Sequence, residues 1–355
     1  MALPVNKTKK KILIVKLSAI GDVIHTLPSL NAIRENYPDS HITWVVEEAA
    51  SDFVKGHKAI DRVIISRRKT WIKHIFSTSC LQTIKQIYAF IKAVRDTRYD
   101  LVIDFQTLLK SGLIVLLSRG KQKAGFGKGM EHMEHSYLFL NKRMPPVDMN
   151  HHAVLRSLML LKSLGIPSDK IVFDLPVSHG DRKKAEDLLT QNGVSGSKPV
   201  VAINPVAKWK TKMWDNAKFA MLADRLIETC DAHVVFTGSK TDFPVADEII
   251  SGMTHQAVNL AGKTTLKTLA AVFESADLVV STDTGPMHVA AAIGTPVVAV
   301  FGPTAPWRTG PFGSGHRIIR TDMTCSPCFK RKCETAACMK EISVESVFTA
   351  ASGLL

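Results

Sequence analysis

One carboxylate near the start of the chain follows an apolar run and is a candidate for acid–base chemistry. Asp22 lies in the segment Lys16-Leu-Ser-Ala-Ile-Gly-Asp-Val-Ile-His25, directly after a predicted buried strand. It is therefore expected at the carboxyl end of that strand, where α/β sheets bind their ligands. There it can act as a general base that takes a proton from an attacking hydroxyl group. The same carboxylate can instead cap the following helix by accepting hydrogen bonds from free N–H groups.

A second segment, Ser281-Thr-Asp-Thr-Gly-Pro-Met-His288, combines the features of an anion site at the start of a helix. Pro286 suits the first turn of a helix and Thr284 can cap it. The free N–H groups and the dipole at such a helix start attract phosphate, and His288 adds a titratable donor one turn later. The alternative is a capped junction between strand and helix that binds no ligand. The pattern favours phosphate binding.

A third segment, residues 204–214, follows the first strand predicted in the second half of the chain. Lysines and tryptophans alternate in it: Lys208, Trp209, Lys210, Lys212 and Trp214. The segment is expected beside residues 283–288, at the same edge of one sheet, where a lysine would neutralise a phosphate. A surface loop without a ligand is the alternative.

The elements that must position these residues alternate between strands and helices. In the first half, strands are predicted at residues 11–16, 41–46, 62–65 and 100–104, with a helix at 29–36. In the second half, strands at 199–203, 233–237, 257–260, 278–281 and 296–301 alternate with helices at 216–228, 242–251, 266–275 and 287–293. This alternation indicates two α/β domains, each Rossmann-like and doubly wound around a parallel sheet. A hinge at residues 195–198 is expected to let the domains face each other across a cleft.

The charge of the chain is unevenly distributed. The 355 residues carry 46 Lys and Arg against 32 Asp and Glu, a net charge of +14. Residues 1–185 hold 30 basic and 16 acidic residues, which is again +14, and residues 186–355 hold 16 of each. A polyanionic partner is therefore expected to meet the first half. A nucleic acid is not the expected partner, because no recognition-module motif is present.

Composition excludes several classes of protein. A hydrophobic content of 45% excludes a mainly disordered chain, and six cysteines are too few for a disulfide scaffold. No apolar run approaches the roughly 18 residues of a membrane-spanning helix. The first apolar run is cut by Lys16 after four residues, which is too short for an export signal. A cytosolic protein is expected.

Six segments occur in the order in which they occur in one known family. They are residues 16–28, 44–48, 99–106 with Lys110-Ser111, 211–214, 281–288 and 301–304. Through them the chain resembles, over nearly its whole length, the bacterial heptosyltransferases of glycosyltransferase family 9, which build the inner core of lipopolysaccharide.

This resemblance implies a GT-B fold, with residues 1–185 binding the acceptor and residues 186–355 binding the nucleotide sugar. The last helix is a candidate to pack back on the N-terminal domain. The implied reaction moves L-glycero-D-manno-heptose, with inversion, from the donor ADP-heptose to the Kdo sugar of Kdo-lipid A. No cofactor is implied, and no metal ion either, since the chain lacks the Asp-x-Asp motif that holds a divalent ion in many sugar transferases.

The resemblance also assigns residues. Asp22 matches the catalytic aspartate, Lys212 the lysine on the donor phosphates, and Asp283, Thr284, Gly285 and His288 the donor-binding turn. Lys208 and Thr264 fall at donor positions where the family branch that adds the first heptose has threonine and methionine. Lys240 replaces a glutamate of that branch, and Thr107 a glycine usual in the family. A second family member, with another donor or core acceptor, is the alternative.

Three further patterns are open to two interpretations each. Residues 67–76 and 84–91 mix cations with large apolar side chains. They can hold a peripheral enzyme at the cytoplasmic face of the inner membrane, or form a surface helix whose apolar side is core. Cys325, Cys328, Cys333 and Cys338 can bind zinc or an iron–sulfur cluster, but structural thiols or a structural metal are favoured over redox chemistry. His132 and His135 can ligate a metal, but a polar loop is favoured.

Overall fold

Short apolar runs buried on both faces form the centre of each sheet. The computed structural model describes residues 9–131, 133–168 and 170–355, so His132 lies outside the described residues. Two units are distinguished, Met1–Pro176 and Val177–Leu355. The second unit begins at Val177 rather than at residue 186, because the helix His179–Gln191 packs within it against Leu266–Glu274.

The first unit is built on one six-stranded parallel sheet. Its strands are β1 (Lys11–Val15), β2 (His41–Glu47), β3 (Arg62–Ser66), β4 (Arg98–Asp104), β5 (Arg119–Phe126) and β6 (Lys142–Met144), in the order β3-β2-β1-β4-β5-β6. The register places Ile14 of β1 beside Trp44 on one side and Ile103 on the other. The helices are α1 (Ile20–Ile24), α2 (Leu27–Asn36), α3 (Arg68–His74), α4 (Cys80–Arg95), α5 (Leu109–Leu117) and α6 (Ala153–Ser163).

The second unit repeats this plan. Its strands are β7 (Val200–Asn204), β8 (His233–Phe236), β9 (Val258–Asn259), β10 (Leu278–Thr282), β11 (Val297–Val300) and β12 (Arg317–Ile319), in the order β12-β11-β10-β7-β8-β9. The helices are α7 (His179–Gln191), α8 (Asn216–Cys230), α9 (Phe243–Ser251), α10 (Leu266–Glu274), α11 (Gly285–Ile293), α12 (Pro306–Thr309), α13 (Ala337–Lys340) and α14 (Val344–Ser352).

Both sheets have the strand order of a doubly wound Rossmann-like fold. In the first, the chain changes direction across the sheet between β1 and β4, and in the second between β7 and β10. Ligands of such sheets bind outside the carboxyl ends of the strands at this switch point. The fold class predicted from the sequence is thus confirmed for each unit.

The buried side chains of β1 explain why its apolar run is uninterrupted. Ile12 and Ile14 belong to one core cluster of the first unit, while Leu13 and Val15 belong to another. Successive side chains of a strand point to opposite faces, and helices cover both faces of a parallel sheet. Every position of the strand after the exposed Lys11 must therefore be apolar.

The sequence did not indicate β5 and β6. Strand β5 has the sequence Arg-Gly-Lys-Gln-Lys-Ala-Gly-Phe, in which only the last three residues are buried. It lies near the edge of the sheet, beside the edge strand β6, where burial is incomplete and the apolar pattern is lost. Its strand conformation comes from pairing with β4 rather than from its own side chains.

The last helix, α14, packs within the second unit. In α14, Val347, Phe348 and Ala351 are buried in the core cluster of the second unit. The helix packs against α8, whose Arg225 donates a hydrogen bond of 2.6 Å to Glu345. Its apolar face is thus covered within the second unit.

The helices are short. Helix α4 has 16 residues and α8 has 15. Across residues 9–131, 133–168 and 170–355, none is both long enough and apolar enough to cross a membrane.

Candidate active site

Asp22 lies where the sequence predicted it, on the short helix that follows β1. It is the third residue of α1, and its Oδ2 atom accepts a hydrogen bond of 2.8 Å from the backbone N–H of Ala19. The carboxylate is half-buried and lines a cavity of about 200 Å³. Asp22 is therefore not the N-cap residue of α1, which is Ala19, but its carboxylate bonds the N–H of that residue and also lines the cavity.

The cavity lies at the switch point of the first sheet. Its polar lining includes Lys16, Asp22, His25, Thr107, Glu131 and Arg156. Lys16 ends the apolar run of β1 and is 8% exposed, and its Nζ donates to the carbonyl oxygen of Phe105 at 2.9 Å. Burial lowers the pKa of Lys16, and the neighbouring Asp22 and Asp104 carboxylates oppose this effect. Asp22 is thus an electrostatic neighbour of Lys16.

Asp104, the last residue of β4, and Gln106, two residues later, hold the loop that precedes Asp22. The side-chain carbonyl of Gln106 accepts hydrogen bonds from the backbone N–H groups of Leu17, at 2.9 Å, and Ser18, at 3.0 Å. Asp104 is fully buried and accepts from the N–H of Gln106 and the hydroxyl of Ser111. Burial raises the pKa of Asp104 despite these bonds. The loop is therefore fastened to the neighbouring strand.

Thr107 continues this segment in an unusual backbone conformation. Its φ angle is +60°, in the left-handed region that favours glycine and penalises β-branched residues. Its N–H donates to Asp104 at 3.3 Å, and its carbonyl accepts from the N–H of Glu134 at 3.2 Å. These contacts fix the conformation, and a glycine would adopt it without strain.

We expect Thr107→Gly to raise the unfolding free energy by about 1 kcal/mol, because relief of strain exceeds the added entropy of the unfolded glycine. Denaturant unfolding of the full chain measures the change. Thr107→Ala is the matched control, since it removes β-branching and keeps the left-handed penalty, and its gain should be smaller. A glycine variant less stable than the parent would contradict the strain.

A second cluster of charged side chains is centred on Glu47, a buried residue at the end of β2. Its Oε1 accepts from the Nζ of Lys110 at 3.0 Å, and the same Nζ donates to the hydroxyl of Ser18 at 2.5 Å. Two more cations approach Glu47, Arg68 at 3.6 Å and Lys69 at 3.5 Å. Three positive charges around one carboxylate leave a positive excess beside the loop that carries Asp22.

The cations set the protonation of Glu47. Burial alone would raise its pKa, but the hydrogen bond and charge of Lys110, with the charges of Lys69 and Arg68, hold the pKa below its ordinary value of 4.5. A carboxylate with a depressed folded pKa contributes stability above its unfolded pKa, and that contribution is lost as the pH falls through the folded value.

We therefore expect the parent protein to lose stability below about pH 4.5 more steeply than Glu47→Gln. Thermal unfolding of both proteins between about pH 6 and pH 3 tests this, with Glu35→Gln, at an exposed site on α2, as the control that should retain the parent's profile. Parallel profiles for the parent and Glu47→Gln would show that these cations do not act on Glu47.

In the second unit, the structure brings Lys212 and Asp283 into direct contact. The Nζ of Lys212 lies 2.6 Å from Oδ2 of Asp283, and the two side chains are 16% and 6% exposed. The hydroxyl of Thr304 donates to the same Oδ2 at 2.5 Å. The Lys212 ammonium also lies 4.5 Å from the centre of the Trp209 ring. A partly exposed cation is thus held at the switch point of the second sheet.

Helix α11 begins beside this ion pair. Thr284 occupies the N-cap position and Pro286 the first turn, as the sequence predicted. The Thr284 side chain makes no capping hydrogen bond, so the prediction that it caps the helix with its hydroxyl is wrong. Gly285 starts the helix, and His288 is largely buried in its first turn. The N–H groups at this helix start face the same end of the sheet as Lys212.

The remaining predicted donor residues lie on loops at the carboxyl ends of neighbouring strands. Lys208 is exposed after β7, and Thr264 is half-buried just before α10. Lys240 is exposed after β8 and lies against the loop that contains Thr264, because a Cβ atom added to Gly262 would come within 2.8 Å of the Lys240 Cα. Strand order places all three loops on one edge of the second sheet.

The four clustered cysteines are free thiols. Burial, and then the neighbouring thiols of Cys328, Cys325 and Cys333, raise the pKa of Cys338. The four side chains thus share one neighbourhood of the second unit. Over the part of the chain that the structure describes, no group of three or more His, Cys, Asp or Glu side chains is placed to hold a metal ion.

Lys16, Glu47 and Asp104 were not singled out from the sequence as site residues. Each is a charged residue at the carboxyl end of an apolar strand: Lys16 directly follows β1, and Glu47 and Asp104 are the last residues of β2 and β4. A charge at this position is costly to bury unless it is paired or bonded, so it indicates the site edge of a sheet. That signal was available in the sequence.

Comparison with known proteins assigns the family. The family model described as glycosyltransferase family 9 (heptosyltransferase) matches residues 87–338. Lipopolysaccharide heptosyltransferase 1 of Pseudomonas aeruginosa is 31% identical over 325 residues, covering 91% of this chain and 87% of that protein. Lipooligosaccharide heptosyltransferase 2 of Campylobacter jejuni is 26% identical over 344 residues, covering 95% of each.

A solved structure shows the same fold. The heptosyltransferase WaaC of E. coli with ADP matches with a TM-score of 0.79 and 26% identity, over 97% of this chain and 100% of that one. The similarity includes both units, which confirms the GT-B class predicted from the sequence. The chain therefore belongs to glycosyltransferase family 9, the heptosyltransferases, and is a glycosyltransferase.

Proposed function

We propose that the chain transfers L-glycero-D-manno-heptose from ADP-heptose to the Kdo sugar of Kdo-lipid A, with inversion. The observation that carries this proposal is the chemistry at the two switch points. The first sheet presents the carboxylate of Asp22, and the second presents the ammonium of Lys212 beside the start of α11. A base for the acceptor and a cation for the leaving diphosphate are what the reaction requires.

The donor is assigned to the second unit. Lys212 and the N–H groups near Thr284 and Gly285 would meet the charge that develops on ADP as the glycosidic bond breaks. His288 would donate to the same diphosphate, and Asp283 would hold Lys212 in place. Protein cations and helix N–H groups would then do what a metal ion does in other transferases. The similar WaaC structure, solved with ADP, supports this donor.

The outer donor residues would select the nucleotide and the sugar. We assign Lys208 to the phosphates and Thr264 to the adenosine side of ADP-heptose. Both residues lie on loops at the carboxyl edge of the second sheet, with Thr264 beside Lys240.

Asp22 is assigned as the general base. It would take the proton of the acceptor hydroxyl as the hydroxyl oxygen attacks the anomeric carbon of heptose and ADP leaves from the opposite face. The hydrogen bond from Ala19 orients the carboxylate.

The acceptor is assigned to the first unit. The combined positive charge of Lys110, Arg68 and Lys69 exceeds the negative charge of Glu47 beside the loop of Asp22. This positive excess suits the carboxylate and phosphate groups of Kdo-lipid A. The net charge of +14 on residues 1–185 supports the same assignment. We place the enzyme peripherally on the cytoplasmic face of the inner membrane, where a lipid acceptor of this kind would be reached.

A second candidate is transfer to a different core acceptor or from a different donor, as in a heptosyltransferase II. Lys240 and Thr264, which depart from the branch that adds the first heptose, favour it, as does the similarity to a heptosyltransferase 2. Mass spectrometry after incubation with ADP-heptose and defined acceptors separates the two. A gain of one heptose on Kdo-lipid A supports the first candidate, and a gain only on an already heptosylated acceptor supports the second.

A further inference from the structure

The helical hairpin formed by α3 and α4, residues 67–95, has one face that packs on its own unit. Trp71 and Phe90 contact each other with ring centres 5.3 Å apart, and Val94 is fully buried. Phe90, Ala93 and Val94 join the core cluster that contains Ile64 of β3. These residues therefore form the apolar face by which the hairpin packs on its own unit.

The hairpin also exposes apolar side chains that this packing does not use. They are Ile72, Phe76, Leu81, Ile84 and Tyr88, and their exposure ranges from 49% for Ile84 to 97% for Phe76. Phe76 and Leu81 lie at and just after the turn between the helices. The sequence left open whether the apolar residues of this stretch are all core, and the structure shows that these five are not.

The same segment carries charge of only one sign. Residues 66–95 contain seven Lys and Arg and no Asp or Glu: Arg67, Arg68, Lys69, Lys73, Lys85, Lys92 and Arg95. The first three lie near Glu47 and Glu48, whereas Lys73, Lys85 and Lys92 are exposed further along the hairpin. On α4, Leu81, Lys85, Tyr88 and Lys92 recur every three or four residues and so share one side of the helix.

We propose that the α3–α4 hairpin is the surface by which this protein binds an anionic phospholipid bilayer. Phe76 and Leu81 would enter the acyl boundary, while Lys73, Lys85 and Lys92 would bind lipid phosphates. Charge complementarity favours an anionic bilayer over a second copy of this chain, because two copies docked through this face would bring like charges together. The reason for the enzyme to work at a membrane comes from the proposed lipid acceptor. The proposed binding to the bilayer is argued from the hairpin alone.

Sedimentation of the full chain with lipid vesicles tests the proposal. We expect binding to vesicles of phosphatidylethanolamine and phosphatidylglycerol, weakened by salt, and little binding to phosphatidylcholine. The double variant Phe76→Ser/Leu81→Ser should bind at least about tenfold more weakly. Substitution of Lys73, Lys85 and Lys92 by Gln should cost about fivefold for each lysine and reduce the salt dependence.

Two exposed apolar residues elsewhere supply matched controls. Leu138→Ser in the first unit and Met221→Ser in the second remove side chains that are 58% and 56% exposed, and should leave vesicle binding unchanged. Thermal unfolding checks that each variant is folded. The Phe76→Ser/Leu81→Ser variant should also retain the parent's rate on a deacylated, water-soluble acceptor, so loss of docking is separated from loss of catalysis.

Three results would overturn the docking surface. One is undiminished vesicle binding by the Phe76→Ser/Leu81→Ser variant, and another is equal loss in the Leu138→Ser control. The third is a dimer, seen by light scattering, that dissociates in the hairpin variant while vesicle binding is unaffected. Failure of heptose transfer with every acceptor would reject the proposed function and leave the vesicle result standing.

Discussion

Asp22→Asn is expected to lower the turnover number by about 10²- to 10⁴-fold, while the dissociation constant of ADP-heptose changes by less than about twofold. Asparagine has nearly the size of aspartate, and its carbonyl oxygen can still accept the hydrogen bond from Ala19. It cannot take a proton from the acceptor. Single-turnover kinetics with saturating donor measure the first quantity, and titration calorimetry with ADP-heptose measures the second.

The control for Asp22 is an exposed aspartate of the same unit. Asp39→Asn lies after α2, away from the strand ends of the site, and should leave both turnover and donor binding unchanged. Asp22→Ala should lose turnover to the same degree and also some stability, because the N–H of Ala19 loses its partner. Turnover of Asp22→Asn close to that of the parent would remove Asp22 from the mechanism.

Lys212→Met should raise the dissociation constant of ADP by about 100-fold, since it removes the cation assigned to the diphosphate. It should also destabilise the protein by about 3 kcal/mol, because the nearly buried Asp283 loses the cation that pairs with its Oδ2. Calorimetry with ADP and thermal unfolding measure the two effects.

The double variant Lys212→Met/Asp283→Asn separates these two roles of the lysine. Neutralising Asp283 removes the unpaired charge, so most of the lost stability should return while ADP affinity stays low. Lys198→Met is the control, because its pair with Asp231 is exposed and should contribute at most about 1 kcal/mol. Parent-like ADP affinity in the double variant would show that Lys212 acts only as a structural partner of Asp283.

The central strands could be predicted from the sequence because their apolar pattern depends only on consecutive residues. Strands β1 and β10 are buried on both faces, so apolar residues fill consecutive positions and the pattern is visible without a structure. Asp22 and the start of α11 could also be located, since each directly follows such a strand. Strand β5 could not, because its conformation depends on its neighbour rather than on its own side chains.

Contacts between residues far apart in the chain could not be predicted from the sequence. Glu47 and Lys110 are 63 residues apart, and they meet only because β2 and β4 flank β1 in the sheet. Likewise, the apolar residues of the α3–α4 hairpin have similar hydrophobicity whether they are buried or not. Only the position of β3 beneath the hairpin decides that Val94 is core and Phe76 is exposed.

Under the proposed function, the anchoring of the Asp22 loop by Gln106 would keep the base in place while the acceptor pocket varies. Because Gln106 ties Leu17 and Ser18 to the end of β4, the loop that leads to the Asp22 carboxylate is held by the sheet. The cavity is also lined by Met130, Glu131 and Met149, which lie outside the helices and strands. Substitutions or insertions at these positions would reshape the cavity without displacing Asp22, so under the proposed function the acceptor could change while the reaction stays the same.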